Sequence, residues 1–111
     1  ELFKHVIEKV ASWGTDENLM FVIGATKTAQ LQEVRQLIPN HFLLVPGVGA
    51  QGGSLEEVSR IGLNADGGLL VNASRQIIFA SSGADFAEKA RAEAMNLQQE
   101  MAGYIQHYMR P

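Results

Sequence analysis

The sequence predicts an α/β fold built on parallel strands. Two observations carry that reading. Stretches with apolar residues at spacings of three and four alternate with short, unbroken apolar runs, and each run ends in small or polar residues. Unbroken apolar runs suit strands covered on both faces, as parallel strands between helical layers are.

Leu2, Phe3, Val6, Ile7, Val10 and Trp13 recur at helical spacing, with Lys4, Glu8 and Lys9 between them. A first amphipathic helix is therefore expected from Leu2 to Trp13, with Gly14 supplying a left-handed stop. Asn18 to Thr26 then reads as a strand buried on both faces. Thr28 to Ile38 returns to helical spacing, with Leu31, Val34, Leu37 and Ile38 inward and Gln32, Glu33, Arg35 and Gln36 outward. Thr28 is the expected N-cap, and Pro39-Asn40 the stop. Phe42 to Val45 is a second buried strand, closed by Pro46-Gly47 and followed by a glycine-rich loop to Gly53. Ser54 with Glu57 forms a capping box that opens a short helix to about Ile61. Gly68 to Asn72 is the third strand, followed by Ala73-Ser74-Arg75-Gln76 and a small apolar patch, Ile77 to Ala80. Asp85 to Met109 is one long helix, its buried side made of Phe86, Ala90, Ala94, Leu97, Met101, Tyr104, Ile105 and Tyr108. Strand starts recur at a spacing that barrels and doubly wound sheets share.

Composition excludes several function classes. The 111 residues suit one domain, and 46% hydrophobic content is far too high for a disordered chain. Twelve acids against nine bases leave a formal net charge of −3, which is no footprint for nucleic acid or an anionic membrane. With no cysteine, disulfide scaffolds, zinc fingers and thiol nucleophiles are ruled out. His5, His41 and His107 lack metal-ligand spacing. The uncharged stretch Phe42 to Leu55 holds four glycines, a proline and a glutamine, and so does not suit a membrane span. No basic stretch precedes an apolar one at the start, so no signal peptide is expected. The first residue is Glu1 rather than methionine, which suggests a processed chain or a piece of a longer one.

In parallel α/β folds, chemistry sits at the carboxyl ends of strands. Here those ends are Gly24-Ala25-Thr26, Pro46-Gly47 with its loop, and Asn72-Ala73-Ser74-Arg75. Gly47 to Gly52 formally satisfies G-x-G-x-x-G. A dinucleotide fold needs an acid at the end of the next strand, however, and Asp66 stands at its start. A phosphate-binding loop of the Walker type fails because Gly53 stands where its lysine belongs. What remains is general: glycine amides and the start of the next helix suit an anion, unless the loop is merely a tight turn. Arg75 favours the anion, because a guanidinium at a strand's carboxyl end takes a phosphate bidentately. Lys27 has no acidic neighbours to tune it and reads as a surface residue. Asp66 has no second carboxylate for acid–base pairing, and Met95 and Met101 read as core.

These residues also carry a resemblance. Leu44-Val45-Pro46-Gly47-Val48-Gly49-Ala50-Gln51-Gly52-Gly53 resembles the seventh-strand motif of the orotidine 5′-phosphate decarboxylase family. Val22 to Thr26 is similar to that family's sixth strand, and Asn72 to Ala80 to its eighth. The likeness runs along the whole chain in order, and its spelling is similar to the longer bacterial branch. It implies that residues 1–111 are the C-terminal part of a (β/α)8 TIM-barrel domain, namely its last three βα units. The implied parent is a cytoplasmic homo-oligomer that converts OMP to UMP with release of CO2, in pyrimidine biosynthesis, without a cofactor. The resemblance gives Gln51 as the glutamine bridging phosphate and pyrimidine, and Gly52 and Gly53 beside it as substrate phosphate-binding residues. Arg75 would grip the phosphate with Ser74 alongside, where many relatives carry glycine, and Pro46 and Gly47 would line the pocket. The family's D-x-K-x-x-D array is absent from these residues, so no catalytic residue is expected here and the chain alone is expected to be inactive. The alternatives are a standalone phosphate-binding or interaction module built from half a barrel, or a related sugar-phosphate barrel enzyme. Three strands of a barrel also leave open edges and an open inner face. Self-association or rearranged terminal helices are expected to cover them.

Overall fold

The computed structural model describes residues 1–49 and 52–109. Its elements are α1 (Leu2–Ala11), β1 (Met20–Val22), α2 (Thr28–Leu37), β2 (Phe42–Val45), α3 (Leu55–Gly62), β3 (Leu69–Val71), α4 (Ser74–Ile78) and α5 (Phe86–Tyr108). The strands form one parallel sheet in the order β1-β2-β3. The α/β class with parallel strands therefore holds.

Register decides which side chains share a face. Phe21, Leu43 and Leu69 are in register, and so are Val22, Leu44 and Leu70. Because side chains alternate along a strand, these two rows point to opposite faces. The Leu43 row joins Leu31, Val34 and Ile38 of the α2 segment and Leu55 and Val58 of α3 in the core, with Leu97, Met101 and Tyr104 of α5 packed at its margin. Among the described residues, nothing comparable covers the other face. Met20 is 52% exposed, Val22 67% and Leu70 48%. The strands are thus not buried on both faces, and the terminal helices do not fold over to cover the open one.

Several element ends depart from expectation for local reasons. α1 stops at Ala11, where Ser12 stays in the right-handed helical region and its hydroxyl donates to the Lys9 carbonyl at 2.5 Å. Trp13 lies beyond the helix and is exposed, and Gly14 is not left-handed. Thr28 is the first residue of α2 rather than its cap; Lys27 holds the cap position without a side-chain bond, since an ammonium has no acceptor to offer. Ser54 does cap α3, accepting from the Glu57 N–H at 3.2 Å. The segment after β3 is not a plain loop, because Ser74 to Ile78 coil into the short α4. α5 has no fully buried residue; Phe86, Ala94, Met95 and Ile105 are exposed. A helix lying on the flank of a core buries only a narrow stripe.

Arg35 was expected to face outward with its helix face. Instead it folds back across the amino end of the sheet. Nη1 donates to the carbonyls of Ile38 (3.0 Å) and His41 (2.7 Å), and Nη2 to those of Gly62 (2.6 Å) and Gly68 (3.0 Å). Burial pushes its guanidinium down to about 10, which leaves it charged at neutral pH. Its neighbour Glu33 pairs with Lys4 of α1 at 2.8 Å, tying α1 to α2. Among the described residues, no helix is long and apolar enough to cross a membrane.

Candidate functional site

The carboxyl ends of the three strands lie side by side. The Ala25 N–H donates to the Pro46 carbonyl and the Asn72 N–H to the Val45 carbonyl, both at 3.0 Å. Pro46, Gly47 and Val48 on one side, and Asn72, Ala73, Ser74, Arg75 and Gln76 on the other, line a cleft of about 270 Å³. The structure therefore brings Pro46, Gly47, Ser74 and Arg75 together. Gln51 lies outside the described residues.

The glycine loop is a closed turn. The Gly49 N–H donates to Gly53 O at 3.0 Å, Gly52 N–H to Gly49 O at 2.8 Å and Gly53 N–H to Gly47 O at 3.1 Å. Gly47, Gly49 and Gly52 have φ of 90°, 81° and 92°, the left-handed region that favours glycine. Gly53 is required for space instead: a β-carbon there would lie 2.5 Å from Ala25 Cβ and 2.6 Å from Gly47 O. These hydrogen bonds turn the amides of Gly49, Gly52 and Gly53 into the loop, which departs from the expectation that successive glycine amides face an anion. The start of α3 departs likewise, since Glu56 and Glu57 in its first turn already complement its positive end.

Positive potential in the cleft comes from the other side. Arg75 is exposed, and among the described residues no hydrogen bond or ion pair occupies its guanidinium. It sits in the first turn of α4, whose leading amides have no helical acceptors. The Ser74 hydroxyl donates to Asn72 Oδ1 at 2.7 Å, which shapes the turn between β3 and α4. Gln76 is a lining residue that sequence reasoning missed. Its Nε2 donates to Glu93 Oε2 of α5 at 3.1 Å. Its position beside Arg75 was a signal, but its partner lies far along the chain and pattern does not reveal it.

No family model matches the chain. Curated relatives do. Over 105 residues it is 56% identical to the orotidine 5′-phosphate decarboxylase of Flavobacterium johnsoniae, covering 95% of this chain and 38% of that protein. Over 106 residues it is 55% identical to the same-named protein of Christiangramia forsetii, covering 96% of this chain and 39% of that one. By sequence the chain belongs to the orotidine 5′-phosphate decarboxylase family. It spans under two fifths of the length of those relatives. Among solved structures, it resembles Leishmania donovani OMP decarboxylase with a TM-score of 0.68 and 32% identity, covering 91% of this chain and 39% of that one. It resembles Leishmania donovani UMP synthase with a TM-score of 0.70 and 35% identity, covering 90% of this chain and 22% of that one.

Proposed function

We propose that the chain is the C-terminal, phosphate-binding part of an orotidine 5′-phosphate decarboxylase, made of the last three βα units of its (β/α)8 barrel, residues 1–111 forming part of one cytoplasmic, homo-oligomeric enzyme. The reaction releases CO2 from OMP and leaves UMP. The observation that carries this reading is the cleft in which Arg75, without an acidic partner among the described residues, faces the Pro46-Gly47 turn.

In this reading the Arg75 guanidinium takes two phosphate oxygens and Ser74 contributes its backbone alongside. Gly52 and Gly53 serve by closing a compact turn rather than by donating amides, which lets the loop approach the ligand. Gln51 bridges phosphate and base, and Pro46 and Gly47 border the pyrimidine. This chain holds the anion and fixes the substrate's tail. Lowering the barrier to decarboxylation needs charges arranged around the reacting carboxylate. No D-x-K-x-x-D array is among these residues, so that task falls to the rest of the enzyme.

The test is UMP binding to the parent enzyme, wild type against Arg75→Ala. Losing a charge-assisted phosphate contact costs roughly 1.5–3 kcal/mol, a tenfold or greater loss of affinity. Unchanged affinity overturns the assignment.

A further inference from the structure

We propose that Gln76 is a positioning residue, a strut that braces the glycine loop against α4 and so sets the width of the cleft. Its Oε1 occupies the space into which a β-carbon on Gly49 would project. The side chain therefore lies directly against the loop. At its other amide atom, Nε2 donates to the Glu93 carboxylate at 3.1 Å. Both residues are half-buried, a setting in which a charge-assisted bond holds a side chain firmly.

The point of contact matters because Gly49 is where the loop closes on itself. Its N–H and its carbonyl each carry one of the loop's internal hydrogen bonds, to Gly53 O at 3.0 Å and from Gly52 N–H at 2.8 Å. Arg75 is the residue next to Gln76 in the chain. A continuous line of contact thus runs from α5 through Glu93 and Gln76 to Gly49, and it fixes how far the guanidinium stands from the loop. Gly49 is needed twice over, for its φ of 81° and for the room that Gln76 takes.

The purpose of the brace rests on the anion-binding reading, but the brace itself is measurable without ligand. Amide hydrogen exchange is followed by NMR in the 111-residue chain, as wild type, Gln76→Ala, Gln76→Glu, and the exchanged pair Gln76→Glu with Glu93→Gln. Gln76→Glu sets two carboxylates against each other, whereas the exchanged pair restores one donor and one acceptor. The expected result is roughly tenfold faster exchange at Gly49, Gly52 and Gly53 in both single variants, return toward wild type in the exchanged pair, and unchanged exchange at Ile23 and Leu43 in the sheet. Unaltered glycine exchange in Gln76→Glu overturns the proposal. So does loosening that spreads equally to the sheet, or an exchanged pair that recovers nothing. Titration with inorganic phosphate, read at the Arg75 amide, separates the two ideas. Loosened glycines with weaker phosphate binding support both, loosened glycines with phosphate binding untouched overturn the setting of the cleft by the brace, and a wild type that binds no phosphate removes the anion-binding reading while leaving the brace standing.

Discussion

Arg35 and Arg75 have the same side chain and opposite employment. The Arg35 guanidinium closes the amino end of the sheet by donating to the carbonyls of Ile38, His41, Gly62 and Gly68, which belong to the two connections that lead from α2 into β2 and from α3 into β3. Removing it leaves those half-buried acceptors short of donors. Arg35→Met is expected to cost about 3 kcal/mol in urea unfolding, since one hydrogen bond to a charged group is worth about 1.5–3 kcal/mol and rehydration of the freed carbonyls offsets part of the loss. Arg35→Lys should recover less than half, because a point charge cannot reproduce a planar fork. A cost below about 0.5 kcal/mol, the level of an ordinary surface change, would refute this account. The sequence made Arg75 legible and Arg35 illegible for one physical reason. Arg75 stands next to a strand end, where position alone suggests a task. Arg35 lies on the polar stripe of α2, and helical spacing reports where a Cα points, not where a long side chain reaches. Its Gly62 and Gly68 acceptors are 27 and 33 residues away, so only the fold discloses them.

Among the elements, the glycine loop and α5 make separable predictions. Gly52 has a φ of 92° and open space around its α-carbon, whereas Gly53 has no left-handed φ but no room. Gly52→Ala should therefore cost about 1 kcal/mol in unfolding free energy, the strain of a left-handed alanine. Gly53→Ala should cost about 3 kcal/mol, because the methyl meets the Gly47 carbonyl and Ala25 in a filled space. Equal costs, measured by urea unfolding, would show that the loop does not close as described. The motif's spelling announces a tight turn, but it does not say which glycine serves dihedral freedom and which serves space. On α5, the Tyr104 hydroxyl donates to Glu100 at 2.9 Å. That bond, then burial, then the charges of Glu100 and Glu56 push Tyr104 up to about 12. A tyrosine raised in the folded state adds stability that is complete below its ordinary value of 10.0 and is lost as pH climbs from there toward about 12. The melting temperature should fall across that window, and Glu100→Gln should bring the tyrosinate absorbance of Tyr104 back toward pH 10. A wild-type tyrosinate curve already complete near the ordinary value would refute the contact.

For the molecule as a whole, the decisive feature is a sheet covered on one side. Leu43 and Val45 are fully buried on the helix-covered face, while Val22 is 67% and Leu70 48% exposed on the other. The class of fold, the order of elements apart from α4, and the full extent of β2 were legible because apolar runs and helical spacing are local signals. The open face was not, since a run that is apolar at every position looks the same whether one face is covered or two. Its composition is nonetheless informative. Met20, Val22, Leu44 and Leu70 form an apolar surface unlike the polar outer face of a one-sided sheet. Burial is worth about 25 cal/mol per Å², so a few hundred Å² left in water forgoes several kcal/mol, against a typical domain stability of about 5–15 kcal/mol. The chain should therefore associate with itself through this face, and sedimentation should show an average mass that rises with concentration. Val22→Lys combined with Leu70→Lys should abolish that dependence while leaving the monomer's stability within about 0.5 kcal/mol, as befits exposed positions. Leu43→Ala should behave in the opposite way, costing about 3 kcal/mol through the cavity it leaves and keeping the association wherever the chain still folds. A wild-type chain that stays monomeric at every concentration would mean that the open face tolerates water.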